Sequence, residues 1–323
     1  MGGATEVAQP RGGREDGPGV AVTVLGVDIG GTSVKAGLVD ESGRVIEQQS
    51  QPTPHSSGDF RQLLRALAAR WAGRFDAAGF GCKGLIDAAS TRVIRSPGPV
   101  AFLEGLSLSE MAGLNVPARA GNDAHAAMAG EMRWGAARDH RHALLFTLGS
   151  GVGGAIVADG RLLGGVSGIA GHLGHVTVDP WGACCICGNR GCLETVFSAR
   201  ALEAEVWRVV NAGCATKLAG GPVTCEALFE AAAGGDRAAT VILDKAVYQL
   251  AAAIAGLLFA FDPEVVILGG NIARAGVLLW RPLAAGIHER TRAFLGREVP
   301  LVPQQTSDPS GIAGAAALAM AGI

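Results

Sequence analysis

Two histidines and four cysteines crowd into one glycine-rich stretch of the chain. His172 and His175 lie three residues apart, and four of the seven cysteines fall between Cys184 and Cys192. In a reducing compartment such crowding favours a metal site over a disulfide. From the residues alone, the histidines could serve a metal, a substrate or neither.

An asparagine and an aspartate open a small-residue helix in the middle of the chain. Asn122 and Asp123 follow Gly121 and precede the alanine-rich stretch "AHAAMAGEM". A carboxylate at a helix start, beside an amide that can form hydrogen bonds, could act as a general base. The alternative is structural, because Asn and Asp are both favoured as helix N-caps.

Glycine-rich turns follow several apolar strands. "DIGGT" and "GSGVGG" each join two apolar runs, and "LGGN" ends a later one. Such turns let backbone N–H groups approach an anion closely, because no Cβ stands in the way. One glycine hairpin is weak evidence for phosphate binding, whereas this combination indicates a nucleotide site. The repeated strand, turn and strand pattern also predicts two similar lobes.

Helical patterns and buried strands fill the rest of the chain. Apolar spacing predicts an amphipathic helix over 60–75 and further helices over 199–210 and 238–261. The last of these is followed by Asp262 and a buried strand. We predict no membrane span, since the apolar segment is interrupted too early.

Composition and charge limit the class of protein. The 323 residues are 49% hydrophobic and 17% charged, which is enough for two globular domains. A net charge of -2 offers no basic surface to nucleic acid. Residues 1–20 are polar and rich in Gly and Pro, which predicts a disordered tail and a cytoplasmic protein.

Five motifs occur in an order that resembles the ROK family of sugar kinases and sugar-responsive repressors. They are "LGVDIGGTSVKAGLVD", "GNDAHAAMAGE", "GSGVGGAIVADGRLLGG", "GHLGHVTVDPWGACCICGNRGCLE" and "VVILGGNIARAG". The resemblance implies an α/β, actin- and hexokinase-like (ribonuclease H-like) fold with two lobes, a central cleft and a small zinc-binding motif. The smaller lobe would comprise 21–120 plus about 308–323, and the larger lobe 121–307, with the zinc motif at 175–192.

The resemblance also implies a nucleotide site for ATP with Mg²⁺, although polyphosphate stays open as the donor. Asp28 would lie near the Mg²⁺, usually through water, and Lys35 would follow on the return strand. The remaining implied nucleotide-binding residues are Gly30, Gly31 and Thr32 in a first phosphate loop, Thr147, Gly149, Ser150, Gly151 and Gly153 in a second, and Gly269, Gly270 and Asn271 beside the adenosine.

On the acceptor side the resemblance implies that Asp123 is the catalytic base and that Asn122 and Glu194 contact the sugar. A structural zinc ion would have one imidazole and three thiolate ligands, a closed tetrahedral set. These ligands would be His175, Cys185, Cys187 and Cys192, with Cys184 as a spare thiol. His175 would also present its second nitrogen to the substrate.

Three positions depart from the family's pattern. His172 stands where the family's E-x-G-H motif has glutamate, Lys83 where proline is common, and Gly98 where an asparagine that contacts sugar is common. A neutral imidazole offers one donor and one acceptor, whereas a carboxylate accepts from two hydroxyls. We therefore predict that the sites of His172 and Gly98 bind a substrate related to glucose but not identical to it.

Three functions fit these features. The favoured one is an ATP-dependent kinase acting on a primary hydroxyl of a hexose or hexose-like ring. The second is a 7-kinase for a C7-cyclitol of the valiolone type, found in natural-product biosynthesis. The third is a non-catalytic, sugar-responsive regulator, which would need a helix-turn-helix module unlike the polar residues before the first strand. The resemblance further implies a homodimer or homotetramer.

Overall fold

The structure is a computed structural model in which residues 22–306 and 311–320 are described. The tail predicted at 1–20 lies outside the described residues. So do 308–310 and 321–323, which belong to the segment predicted to complete the smaller lobe.

Strands and helices alternate along the described chain, which confirms the predicted α/β class. The strands are β1 (Val24–Ile29), β2 (Ser33–Val39), β3 (Val45–Pro52), β4 (Ala77–Cys82), β5 (Leu85–Asp87), β6 (Arg92–Arg95), β7 (Ala118–Gly121), β8 (Ala143–Leu148), β9 (Val152–Ala158), β10 (Arg161–Leu162), β11 (Val265–Gly269) and β12 (Leu301–Pro303). The α-helices are α1 (Ser57–Arg70), α2 (Leu108–Ala112), α3 (Asp123–Trp134), α4 (Glu194–Phe197), α5 (Ala199–Asn211), α6 (Cys225–Ala233), α7 (Arg237–Phe261), α8 (Val277–Leu295) and α9 (Ile312–Met320). Short 3₁₀ helices cover Ala101–Leu103, Leu173–His175 and Ile272–Arg274.

Two five-stranded sheets share one topology. The first has the order β3-β2-β1-β4-β7 and the second the order β10-β9-β8-β11-β12. In each sheet three strands form an antiparallel meander, and two further strands continue parallel to its first strand. This equivalence agrees with the repeated pattern in the sequence, while the division into the two predicted lobes stays a prediction.

Helices α3 and α9 lie between the two sheets. α9 packs against β1 and β4, and α3 packs against α9 on one side and β8 and β9 on the other. A Cβ at Gly79 of β4 would clash with the backbone of Ala315, so the glycine allows α9 to lie flat on the sheet. Both sheets therefore hold the start of α3 in a fixed place.

The remaining helices cover the outer faces of the sheets. Phe60 and Leu64 of α1 pack with Phe80 in the core of the first sheet, and α7 lies in the core of the second. By length and composition alone, α7 is the single helix in the described ranges that could cross a membrane. However, 61% of its most apolar 18-residue segment is buried inside the fold. The helix packs against α6 and α8, as a core helix does.

The first helix is shorter than the predicted range of 60–75. It covers Ser57–Arg70, begins where Ser56 accepts a hydrogen bond from the Asp59 N–H, and is followed by Gly73 at a φ of 75°. The helix ends at Arg70 because Trp71 leaves the helical conformation, with a φ of -115°, and the Trp71 and Ala72 N–H groups bond to carbonyls three residues back, a change that apolar spacing does not report. The helices predicted over 199–210 and 238–261 are confirmed, each to within one residue.

Candidate active site

The carboxyl ends of three parallel strands meet at one edge of the first sheet. β1 ends beside Asp28, β4 ends at Cys82, and β7 leads directly to Asn122 and Asp123. Burial, together with the nearby charges of Asp123 and Asp28, raises the pKa of the Cys82 thiol to about 12. Both carboxylates predicted for the site therefore lie near one buried thiol.

The first glycine turn joins β1 to β2. The Gly30 N–H donates to the Ser33 carbonyl across 3.0 Å, and the Thr53 hydroxyl donates to the Gly30 carbonyl across 2.7 Å. Gly31 and Thr32 are exposed beyond these bonds. Both the N–H and the carbonyl of Gly30 thus fix the turn, while its tip at Gly31 and Thr32 is exposed.

Asp28 and Lys35 lie opposite each other across this hairpin. Gly98 comes close to the same turn, because a Cβ added at Gly31 would lie 3.3 Å from the neighbouring Pro99. Gly98 itself has a φ of 98° and an exposed backbone. The loop that carries Gly98, where the family commonly has a sugar-binding asparagine, therefore lies at the edge of the first glycine turn.

The second glycine turn joins β8 to β9 and adjoins the start of α3. The Gly149 N–H donates to the Gly151 carbonyl across 3.0 Å, and Ser150 at the tip is exposed. Thr147 lies opposite Gly153, and a Cβ added at Gly153 would lie 3.2 Å from the Cβ of Ala124. Ala124 follows Asp123, so the second hairpin and the predicted base are neighbours.

The third turn follows β11 and packs on the second. Gly269 lies opposite Thr147 in the sheet, and Gly270 has a φ of 85°. A Cβ at Gly270 would also clash with the backbone of Leu148, so both the conformation and the packing require glycine. Asn271 is exposed beside it. All the predicted nucleotide residues after position 140 therefore lie together.

Asn122, rather than Asp123, caps α3. Its Oδ1 accepts from the His125 N–H across 2.6 Å, and the side chain is buried. Asp123 is the first helical residue and is exposed, with Oδ1 3.0 Å from the Ala124 nitrogen. The capping alternative considered for Asp123 therefore belongs to its neighbour, and the Asp123 carboxylate faces solvent.

Three histidine rings gather next to the start of α3. His172 Nε2 lies 3.4 Å from Asn122 Nδ2, and its Nδ1 lies 2.9 Å from the Ile169 carbonyl. The ring centroid of His172 is 6.2 Å from that of His125 and 6.3 Å from that of His175. His172 therefore lies beside Asn122, and His175 lies next to His172.

His125 lies within the motif "GNDAHAAMAGE", but the sequence indicated no role for it. It is buried, its Nε2 lies 2.9 Å from the Ala170 carbonyl, and burial lowers its pKa, so the neutral ring donates from Nε2. A Cβ at Gly171 would lie 3.2 Å from that nitrogen. His125 therefore anchors the loop that leads to His172. Its position three residues after Asn122, on the same helix face, was the available signal.

Glu194 links the cysteine motif to the second glycine turn. Its Oε2 accepts from the Val152 N–H across 3.0 Å, and the side chain is 18% exposed. Oε1 lies 3.9 Å from Nη2 of Arg200, a residue that the sequence did not single out. Glu194, predicted to contact the sugar, thus also binds the backbone at the end of the predicted second phosphate loop.

The predicted zinc ligands form one cluster. One atom from each of His175, Cys185, Cys187 and Cys192 lies within 4.8 Å of every other. The Cys187 and Cys192 sulfurs are 3.6 Å apart, and the Cys185 sulfur is 3.5 Å from His175 Nδ1. Tetrahedral zinc with Zn–S bonds of about 2.3 Å places two sulfurs about 3.8 Å apart, so the donor set and its size fit zinc.

The geometry defines an α/β protein with paired glycine hairpins and a carboxylate beside them. A model described as the ROK family matches residues 24–321. The chain belongs to the ROK family.

Relatives confirm the predicted enzyme class, an ATP-dependent carbohydrate kinase. A glucokinase of Thermotoga maritima is 37% identical over 308 residues, which cover 91% of this chain and 96% of the relative. An N-acetylmannosamine kinase of Citrobacter koseri is 33% identical over 308 residues, covering 92% and 99%. A crystal structure of a ROK family glucokinase from Streptomyces griseus with glucose and AMPPNP superimposes with a TM-score of 0.73 at 30% identity, covering 93% of this chain and 99% of that one.

Proposed function

We propose that the protein transfers the terminal phosphoryl group of ATP to a primary hydroxyl of a hexose or hexose-like ring. The observation that carries the proposal is the division of roles at the start of α3. Asn122 caps the helix, so the exposed Asp123 carboxylate is available as a base. Asp123 would accept the proton of the attacking hydroxyl as the new O–P bond forms.

On the donor side, the backbone N–H groups of the two glycine hairpins would hold the phosphates. Asp28 would bind Mg²⁺, usually through water, and this ion would neutralise charge on the transferring group. Lys35 lies opposite Asp28 and adds a positive charge to the same hairpin. Gly269, Gly270 and Asn271 would line the adenosine. Support comes from the contact of the third turn with the second.

On the acceptor side, Asn122, His172, His175 and Glu194 would bind ring hydroxyls, with Gly98 at the margin. The hydrogen bonds of His172 place its proton on Nδ1 and leave a single lone pair at Nε2. Asn122 Nδ2 donates to that lone pair across 3.4 Å, so a substrate hydroxyl would bind His172 by taking the place of this donor, one hydroxyl for one lone pair. A carboxylate at that position would accept from two, so this pocket favours a different hydroxyl pattern from that of glucose.

The cluster of His175 and the three cysteines would hold a structural zinc ion. Its four donor atoms close the coordination shell, which leaves no position for a reacting water. Burial lowers the pKa of His175, so its ring is neutral and able to coordinate. Zinc would fix the ring and thereby the loop beside Asn122 and His172.

Release of ADP, measured with purified protein over a panel of hexoses, amino sugars and cyclitols, tests the proposal. We expect turnover with at least one hexose or hexose-like acceptor and phosphorylation of its primary hydroxyl. ATP binding without turnover on any member of the panel would contradict it and favour the non-catalytic regulator.

A second acceptor class is a C7-cyclitol of the valiolone type, phosphorylated at its 7-hydroxyl. The single acceptor atom of His172 favours it, because the reacting hydroxymethyl group is kept while the ring hydroxyls differ. The same panel decides between the two, since a cyclitol kinase would have its highest kcat/KM on the cyclitol. A kcat/KM for glucose above that for every cyclitol would exclude this alternative.

A further inference from the structure

Arg200 is an arginine beside the second glycine turn. Its Nε donates to the Ser150 carbonyl across 2.9 Å, and its Nη2 lies 3.9 Å from Oε1 of Glu194. A Cβ added at Gly151 would also lie 3.9 Å from Nη2. The guanidinium group therefore lies against Ser150 and Gly151 of the turn.

The bond from Arg200 fixes the peptide that joins Ser150 to Gly151. In a trans peptide the C=O and the following N–H point in opposite directions. With the Ser150 carbonyl held by Arg200, the Gly151 N–H must point away from the guanidinium group. Within the described residues this N–H donates no hydrogen bond to the protein, so it is available to an anion.

Neighbouring bonds hold the rest of the turn but leave this peptide free. The Ala199 N–H donates to the Gly149 carbonyl across 2.8 Å, and Glu194 accepts from the Val152 N–H. Because Gly151 has no side chain, the peptide before it can rotate at little steric cost. A hydrogen bond from a charged donor is stronger than a neutral one and opposes that rotation.

We propose that Arg200 is a positioning residue for phosphate binding, which aims the Gly151 N–H at the phosphates of ATP. The proposal rests on the proposed function only in taking ATP as the donor. Arg200 acts through the turn, so its loss lowers affinity for the phosphates and leaves the adenosine contacts unchanged.

The test compares Arg200→Ala and Arg200→Lys with Arg208→Ala. Arg208 is a matched control, because it lies on the same helix, pairs with Glu205, and is 66% exposed against 62% for Arg200. Calorimetry gives the Kd for ATP and for AMP, and steady-state kinetics give kcat and the KM for ATP. Thermal unfolding reports whether each variant is folded.

We expect Arg200→Ala to raise the Kd for ATP about tenfold or more, a change of about 1.4 kcal/mol, with the Kd for AMP unchanged. Arg200→Lys should lie between this variant and wild type, and added guanidinium should restore part of the ATP affinity of Arg200→Ala. An Arg200→Ala protein that binds ATP as tightly as Arg208→Ala would overturn the inference. Equal losses for ATP and AMP would overturn it as well.

The wild-type measurements separate this inference from the proposed function. Wild-type protein that binds ATP but phosphorylates no acceptor contradicts the function and leaves the comparison of ATP affinities intact. Turnover by wild type, with Arg200→Ala equal to the control, overturns the inference alone.

Discussion

Asn122 donates a hydrogen bond from Nδ2 to Nε2 of His172, with 3.4 Å between the two nitrogens. The other end of the amide accepts from the His125 N–H, which fixes the orientation of the group. An amide nitrogen only donates, so His172 accepts at Nε2 and carries its proton on Nδ1, toward Ile169. Asn122, which caps α3, and His172, which replaces the family's glutamate, thus belong to one hydrogen-bond network.

Replacing His172 with glutamate should shift acceptor preference toward glucose. The carboxylate of His172→Glu accepts from two hydroxyls where the imidazole accepts from one. We expect the ratio of kcat/KM for glucose to that for the preferred wild-type acceptor to rise about tenfold, equal to about 1.4 kcal/mol. ADP release over the acceptor panel measures this ratio. His172→Gln presents a single acceptor atom beside an amide donor, without a negative charge, and should stay closer to the wild-type order than His172→Glu. An unchanged order in His172→Glu would refute the role.

Removing the ring nitrogen of His125 should weaken acceptor binding. His125→Phe keeps the ring volume but loses the hydrogen bond to the Ala170 carbonyl. A neutral hydrogen bond contributes about 1 kcal/mol, so we expect the acceptor KM to rise about fivefold while the KM for ATP stays constant. His288→Phe, on the surface of α8, is the control and should change neither constant. Equal rises in both constants would mean that His125 acts on the whole fold.

Loss of one cluster cysteine should release zinc. Wild type should contain about one zinc ion per chain by elemental analysis, and Cys192→Ser should lose it together with thermal stability. Cys184→Ser is the matched control, because Cys184 is exposed and outside the four-atom cluster. Full zinc content in Cys192→Ser, or its loss in Cys184→Ser, would show a different ligand set.

Zinc affinity should also rise with pH. Burial raises the pKa of the Cys192 thiol to about 12 in the metal-free protein, so binding must displace its proton. A displaced proton makes the apparent affinity greater at pH 8 than at pH 6. Competition with a chelator of known pH dependence measures this, and an affinity independent of pH would argue against thiolate ligation.

The buried Glu131 should contribute strongly to stability. It is 0% exposed and accepts from the Ala136, Gln305 and Thr306 N–H groups and the Thr306 hydroxyl. Glu131→Ala leaves these donors without their acceptor, so we expect the free energy of unfolding in urea to fall by about 3 kcal/mol or more. Glu289→Ala, at an exposed site on α8, should stay within about 0.5 kcal/mol of wild type. If Glu131→Ala and Glu289→Ala lowered the free energy of unfolding equally, the hydrogen bonds of Glu131 would not contribute to stability as proposed.

The sequence predicted the glycine turns because they depend on local spacing, and the crowded cysteines indicated a metal, while the ligand set followed from the resemblance to the ROK family. Gly149, Ser150 and Gly151 form a turn within one hairpin, and Cys185 and Cys187 lie two residues apart. Apolar periodicity located α5 and α7 for the same reason. The predicted end of α1 was wrong, because Trp71 continues the apolar pattern past Arg70, the last helical residue.

Contacts between distant segments were not predictable from spacing. Arg200 reaches Ser150 across 50 positions, and His125 reaches Ala170 across 45. Neither contact has a sequence period, because each depends on how α3 and α5 pack on the second sheet. The capping role of Asn122 was one of two alternatives in the sequence, and only the backbone geometry at Asn122 distinguishes it from Asp123.

The kinetics of Asp123→Asn test the central claim most directly. Asn122 remains as the cap, so the variant should fold and bind ATP as wild type does. With the preferred acceptor, we predict that kcat falls by about 10² to 10⁴, the usual contribution of a general base. A kcat within about fivefold of wild type, at unchanged ATP affinity, would contradict the assignment of Asp123 as the base.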